Sequence, residues 1–130
     1  MTVHQWTFDI PTDLWMSANQ RTHWAVRARR TRTLRTEAAL RAHHAGRHDP
    51  LDRVHVTATI GYPRTGRADP ANAAPTVKAL IDGIVDAGLI PDDDHTHLTG
   101  PDYRRGPTTG RPGIHTVTLT IVPIPEETHA

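Results

Sequence analysis

Three stretches of the chain alternate apolar and polar residues with a period of two. Val3, Trp6, Phe8 and Ile10 alternate loosely, which predicts a strand over residues 3–10 that Pro11 ends. Val54, Val56, Ala58 and Ile60 alternate with His55, Thr57 and Thr59, the pattern of a half-buried strand, closed by Tyr62 and Pro63. Val117, Leu119 and Ile121 alternate with Thr116, Thr118 and Thr120 in a last strand over 114–121, ended by Pro123 and Pro125. His97, Leu98 and Tyr103 suggest a further short strand, followed by a Gly- and Pro-rich turn over 104–113.

Two other stretches repeat at helical spacing. From about Gln20 to Ala45 the chain is rich in Ala, Arg and Leu, and no Gly or Pro interrupts it before Gly46; Ser17 or Asn19 supplies a cap. Trp24, Ala28, Thr31, Leu34 and Ala38, with Arg41 or Ala42, share one weakly apolar side. Arg27, Arg30, Arg32 and Arg35 fall on the other. His23 and Trp24 read as packing at the start of this helix rather than as a base-stacking platform. The second helix opens at Pro75, where a missing N–H costs nothing, and Gly88 stops it. Val77, Leu80, Ile81, Ile84 and Val85 form its apolar stripe, with Lys78, Asp82 and Asp86 spaced by four along one edge. The order β-α-β-α-β-β predicts an α/β fold, a small mixed sheet of about four strands with two main helices, in one domain over residues 1–130.

Composition narrows the setting. No apolar run approaches the roughly 20 residues that span a bilayer. The first residues lack the basic and apolar segments of a signal peptide, so a cytoplasmic protein without a membrane partner is expected. With no cysteine, disulfides and thiolate metal sites are excluded. The closing EETHA is expected to fray.

Charge changes the picture more. The net charge is +1, yet Arg21 to Arg47 holds eight arginines against one acid, Glu37, while the segment from Asp69 to Asp102 is net negative. A basic element beside an acidic one suits a polyanion-binding face flanking a metal site. Genomic base composition explains the number of arginines but not their clustering.

Asp69 and the triplet Asp92, Asp93 and Asp94 bracket the second helix. Magnesium takes oxygen ligands, commonly one or two carboxylates with water and phosphate, and a nuclease uses such ions to activate water. A helix from Pro75 to Ala87 is roughly 20 Å long, so its two acidic ends meet only if the flanking loops fold back. A solvated aspartate turn is the competing reading of the triplet. Lys78 is the only lysine among fourteen arginines. It can offset charge developing on a phosphate, or simply form an i,i+4 pair with Asp82 worth about 0.3–0.5 kcal/mol. The arginine-rich helix reads as a nucleic-acid contact surface or as a solvated face. Ten histidines invite zinc, but no HExxH is present. His44 and His48 lie four apart, and His95 or His97 could act only behind the aspartates.

Arg67-x-Asp69-Pro70-x-Asn72, the run from Lys78 to Asp94, and the opening Asn19-x-Arg21-x-His23-Trp24 together resemble the RusA-type Holliday-junction resolvases, phage and bacterial endodeoxyribonucleases of DNA recombination and repair. The resemblance spans nearly the whole chain. It implies a magnesium-dependent homodimer (manganese also serving) that cuts four-way DNA junctions. It implies Asp69, Lys78 and Asp93 as catalytic residues, with Asp69, Asp92 and Asp93 at the metal. Asn72, Asp82 and Asp94 are supporting positions, and Arg21, Arg27, Arg30 and Arg67 the DNA contacts. Two departures stand out. Ala71 occupies the place of the family's second Asp, and Lys78 follows Asn72 by a longer interval. Ala71 motivates a second expectation: a weakened or inactive junction-binding protein of the same fold.

Overall fold

The computed structural model describes residues 2–46 and 50–125. Arg47, His48 and the closing EETHA lie outside the described residues. The chain forms β1 (His4–Pro11), α1 (Trp24–His44), β2 (Val54–Gly61), a short 3-10 turn (Pro70–Ala73), α2 (Ala74–Asp86), β3 (Leu98–Arg105) and β4 (Ile114–Pro123). The expected four-strand mixed sheet with two helices is what forms, in the order β1-β4-β2-β3. β4 runs antiparallel to both β1 and β2, and β3 lies parallel to β2.

The period-two pattern decides which way the sheet faces. Phe8, Val117 and Ile60 lie side by side in register, as do Trp6, Leu119 and Ala58, and all are buried. Their neighbours Thr7, Thr118 and Thr59 line the opposite face, which is exposed or half-buried. Both helices therefore cover one side, giving two layers around one hydrophobic cluster. The third strand is longer than its few apolar residues suggest. It pairs through backbone with β2, and its register slips between His55 and Thr57. Gly100 allows this: its φ is +100°, and a Cβ there would sit 2.6 Å from the Val56 carbonyl oxygen.

α1 starts later than the cap residues imply. Ser17 and Asn19 close a turn of their own, with the Asn19 N–H donating to Ser17 Oγ (3.3 Å). The cap is His23, whose Nδ1 accepts from the Ala25 N–H at 3.2 Å. Leu34, Ala38 and Ala42 are buried as the spacing predicts. Trp24 is not: it is 77% exposed, so the reading of it as packing is corrected. The loop residues Trp15 and Met16 fill the core instead.

The two helices meet at Gly83, where an added Cβ would lie 2.2 Å from the Arg35 carbonyl oxygen. Arg35 also forms a two-pronged pair with Asp86 (2.5 and 2.7 Å). Thr76, fully buried, fixes the loop before α1 to α2 by accepting from the Met16 N–H (2.9 Å) and donating to its carbonyl (2.8 Å).

Candidate functional site

α2 places Lys78 on its solvent edge because Val77, Leu80, Ile81 and Ile84 take the buried stripe. The ammonium donates to Asp82 Oδ1 at 2.8 Å, one turn on, and also to the Asp93 carboxylate. Both carboxylates hold the ammonium in its charged form, raising the Lys78 pKa, with Asp82 the larger cause. The Asp93 carboxyl is in turn held below its ordinary range, chiefly by the hydrogen bond from Lys78. Asp86, on the same edge, is drawn away to Arg35.

The chain folds back after α2, which is how Asp93 returns to the first half of the helix. Gly88, at φ +86°, turns it. Leu89 and Ile90 then enter the core, and the Leu89 carbonyl accepts from the Leu51 N–H at 2.7 Å. The three aspartates divide their work. Asp92 Oδ1 accepts from the Asp93 N–H (2.7 Å), and Asp94 accepts from the Thr96 N–H and hydroxyl (3.0 and 2.6 Å). Asp92 and Asp94 thus shape a turn, while Asp93 points to Lys78.

Lys78 and Asp93 stand at a cavity of about 600 Å³, within the range of small-molecule sites. Ile81, Pro101 and Tyr103 give it apolar walls, and Arg27 of α1 also lines it. Tyr103 is half-buried, and desolvation raises its phenol pKa. Asp69 is engaged separately: Oδ1 accepts from the Ala71 N–H at 3.0 Å and caps the 3-10 turn. Among the described residues none of its hydrogen bonds or ion pairs reaches Lys78, Asp82 or Asp93. Asn72 supports the frame through its backbone carbonyl, which accepts from the Ala18 N–H at 2.8 Å. Arg21, Arg27 and Arg67 are exposed, whereas Arg30 is half-buried and donates to the Trp15 carbonyl at 3.1 Å. His97 Nδ1 lies 2.8 Å from the Asp52 carbonyl, and His95 is exposed.

No protein-family model and no curated protein matches this sequence. The site must therefore be read from its own groups. Among the described residues no three His, Asp or Glu side chains gather as a metal cage. Magnesium does not need one: one or two carboxylates plus water and phosphate oxygens suffice. Asp82 and Asp93 already converge on a single cation, the Lys78 ammonium. A carboxylate pair of this kind fits an ion whose remaining ligands come from solvent and substrate.

Two features escaped the sequence. The apolar wall contributed by β3 was hidden because Leu98 and Tyr103 are separated by Thr99, Gly100, Pro101 and Asp102, which break any simple period. The Gly-Pro pair did carry a usable signal, since proline inside a strand marks an edge or a bulge. The presence of Arg27 in the same cavity lining as Lys78 depends on how α1 packs on α2, which no local pattern encodes.

Proposed function

We propose that this protein is a magnesium-dependent, structure-selective DNA endonuclease that resolves four-way junctions as a homodimer. The observation that carries the reading is the pairing of Lys78 with Asp93 in the lining of a cavity that Arg27 also lines. A cation and a carboxylate held together beside an arginine can receive a phosphodiester and respond to charge developing on it. Asp93 and Asp82, which converge on the Lys78 ammonium, would hold the metal, which would supply Lewis acidity and an activated water; Asp69 would join them only by leaving its cap on the 3-10 turn. Arg27 engages a phosphate oxygen and orients the strand. Lys78 would offset charge developing on the leaving oxygen. Arg21 and Arg67 extend the basic surface along the backbone. A two-fold enzyme matches a four-way junction, with one site for each strand cut.

A second reading, a catalytically silent junction binder, is favoured by Ala71 in the place of a family carboxylate and by the capping role of Asp69. Incubating the protein with a labelled four-way junction over a range of Mg²⁺ and Mn²⁺, with a linear duplex as control, separates the two. Paired nicks at symmetric positions, abolished by Asp93→Asn with binding retained, support the nuclease. Tight junction binding without nicking in either metal supports the binder.

A further inference from the structure

Of the three tryptophans, Trp6 and Trp15 are buried at 8% and 7% exposure, while Trp24 is 77% exposed at the start of α1. An indole is a large apolar plate, and leaving it in water forgoes the burial that usually accounts for its presence. Trp24 is also held in place. His23 stacks on it with ring centroids 5.6 Å apart and planes 30° from parallel, and His23 is itself fixed by its cap bond to Ala25.

The surroundings of this ring are cationic. Trp24 shares a shallow groove of about 530 Å³ with Arg27, Arg32 and Arg35. Arg35 is committed to Asp86, but among the described residues neither Arg27 nor Arg32 has an ion-pair partner. The same Arg27 lines the cavity beside Lys78 and Asp93. A flat aromatic face in a groove with guanidinium groups that lack ion-pair partners among the described residues, sharing Arg27 with the apolar cavity, has the chemistry of a single nucleic-acid strand: bases to stack and phosphates to neutralise. An acidic peptide would use the arginines and leave the indole idle.

We propose that Trp24 stacks an unpaired nucleobase, that Arg27 and Arg32 take the flanking phosphates, and that Arg27 leads the strand into the cavity beside Lys78. The choice of ligand rests on the nuclease reading, and the proposal names the feature gripped: unpaired nucleotides at a branch point rather than paired duplex.

Fluorescence anisotropy tests this without divalent metal, so that cleavage does not enter. The probes are a labelled oligothymidine of about 12 nucleotides, within the span of single-strand sites, and a blunt duplex of equal length. Trp24→Ala is expected to weaken single-strand binding roughly 5- to 100-fold, the usual effect of removing a stacking ring, with duplex binding nearly unchanged. Trp24→Phe, which keeps a π-face, should restore most of the loss. Oligothymidine should quench tryptophan emission in the parent protein and not in Trp24→Ala. Far-UV circular dichroism should match across all three proteins. Equal single-strand affinity in parent and Trp24→Ala overturns the proposal, as does an equal loss on strand and duplex, or failure of the parent to bind the strand. The junction-cleavage assay is scored separately. A protein that grips the strand through Trp24 but never cuts loses the nuclease reading alone, and one that cuts with Trp24→Ala binding unchanged loses the stacking proposal alone.

Discussion

Asp93, seven residues past the end of α2, hydrogen-bonds the ammonium of Lys78 in that helix's second turn. The pair lies on the surface, with Lys78 61% exposed, so its share of stability is small, about 0–1 kcal/mol as for other exposed pairs. Folding therefore gains little from it, and on the nuclease proposal its role is chemical. Lys78→Met should leave the thermal midpoint nearly unchanged and lower junction cleavage roughly 10²–10³-fold, as removal of one transition-state donor does. A large stability loss with intact cleavage would reverse that assignment.

Acid should weaken the fold through its paired aspartates. The carboxyls of Asp86 and Asp9 are held below their ordinary range, chiefly by hydrogen bonds from Arg35 and Arg111, and that of Asp93 by Lys78. A depressed folded-state pKa means stability that is present above the unfolded value, about 3.9, and lost as pH falls through the folded one. Thermal midpoints should decline below about pH 4, and Asp86→Asn should show a shallower decline. Added salt should narrow the difference, since both partners of the Arg35–Asp86 pair are exposed.

His115 gives a second, milder window. It stacks on Trp15 with centroids 3.9 Å apart, its buried Nδ1 has no hydrogen-bond partner among the described residues, and desolvation lowers its pKa. The neutral ring's contribution is complete above the unfolded value, about 6.5, and is lost as pH falls through the depressed folded value. Chemical-denaturation midpoints measured between pH 7 and pH 5 should drop for the parent and stay flatter for His115→Phe.

Gly83 lets α1 and α2 touch. With a Cβ placed 2.2 Å from the Arg35 carbonyl oxygen and 2.8 Å from the Ala38 Cβ, Gly83→Ala must push the helices apart. Alanine's better helix propensity, about 1 kcal/mol, offsets only part of this. The expected net loss is about 1–3 kcal/mol in a urea titration, larger for Gly83→Val. An alanine variant as stable as the parent would show that the helices can separate freely.

Thr76 serves both backbone groups of Met16 from one hydroxyl. Thr76→Val keeps the shape but leaves a buried N–H and a buried carbonyl unmatched, which costs about 1–3 kcal/mol for each group left so. Thr76→Ser should recover most of that. Hydrogen exchange at the Met16 amide would report the loss directly, because its protection depends on this bond.

The sheet and both helices were readable from local pattern. Val54 to Ile60 could bury Val56 and Ala58 only by pointing His55, Thr57 and Thr59 the other way, so side-chain alternation committed the strand before any partner was known. The stripe Val77, Leu80, Ile81 and Ile84 likewise committed one side of α2. β3 was only half-legible because its pairing uses backbone groups and a glycine bulge, which leave little mark on apolar spacing.

The candidate site divides in the same way. Lys78 and Asp82 are neighbours by helical geometry alone, since residues four apart share a face. That Asp93, rather than Asp92 or Asp94, completes the group was settled by Leu89 and Ile90 anchoring the return of the chain, a long-range packing event. The exposure of Trp24 is of the same kind: its spacing matches Leu34 and Ala38, but Trp15 and Met16 fill the core and it stays outside. Short-range periodicity sets what each segment can bury, because it depends only on backbone repeat; which of the eligible side chains is buried depends on competition for one core, and only the assembled layers resolve that.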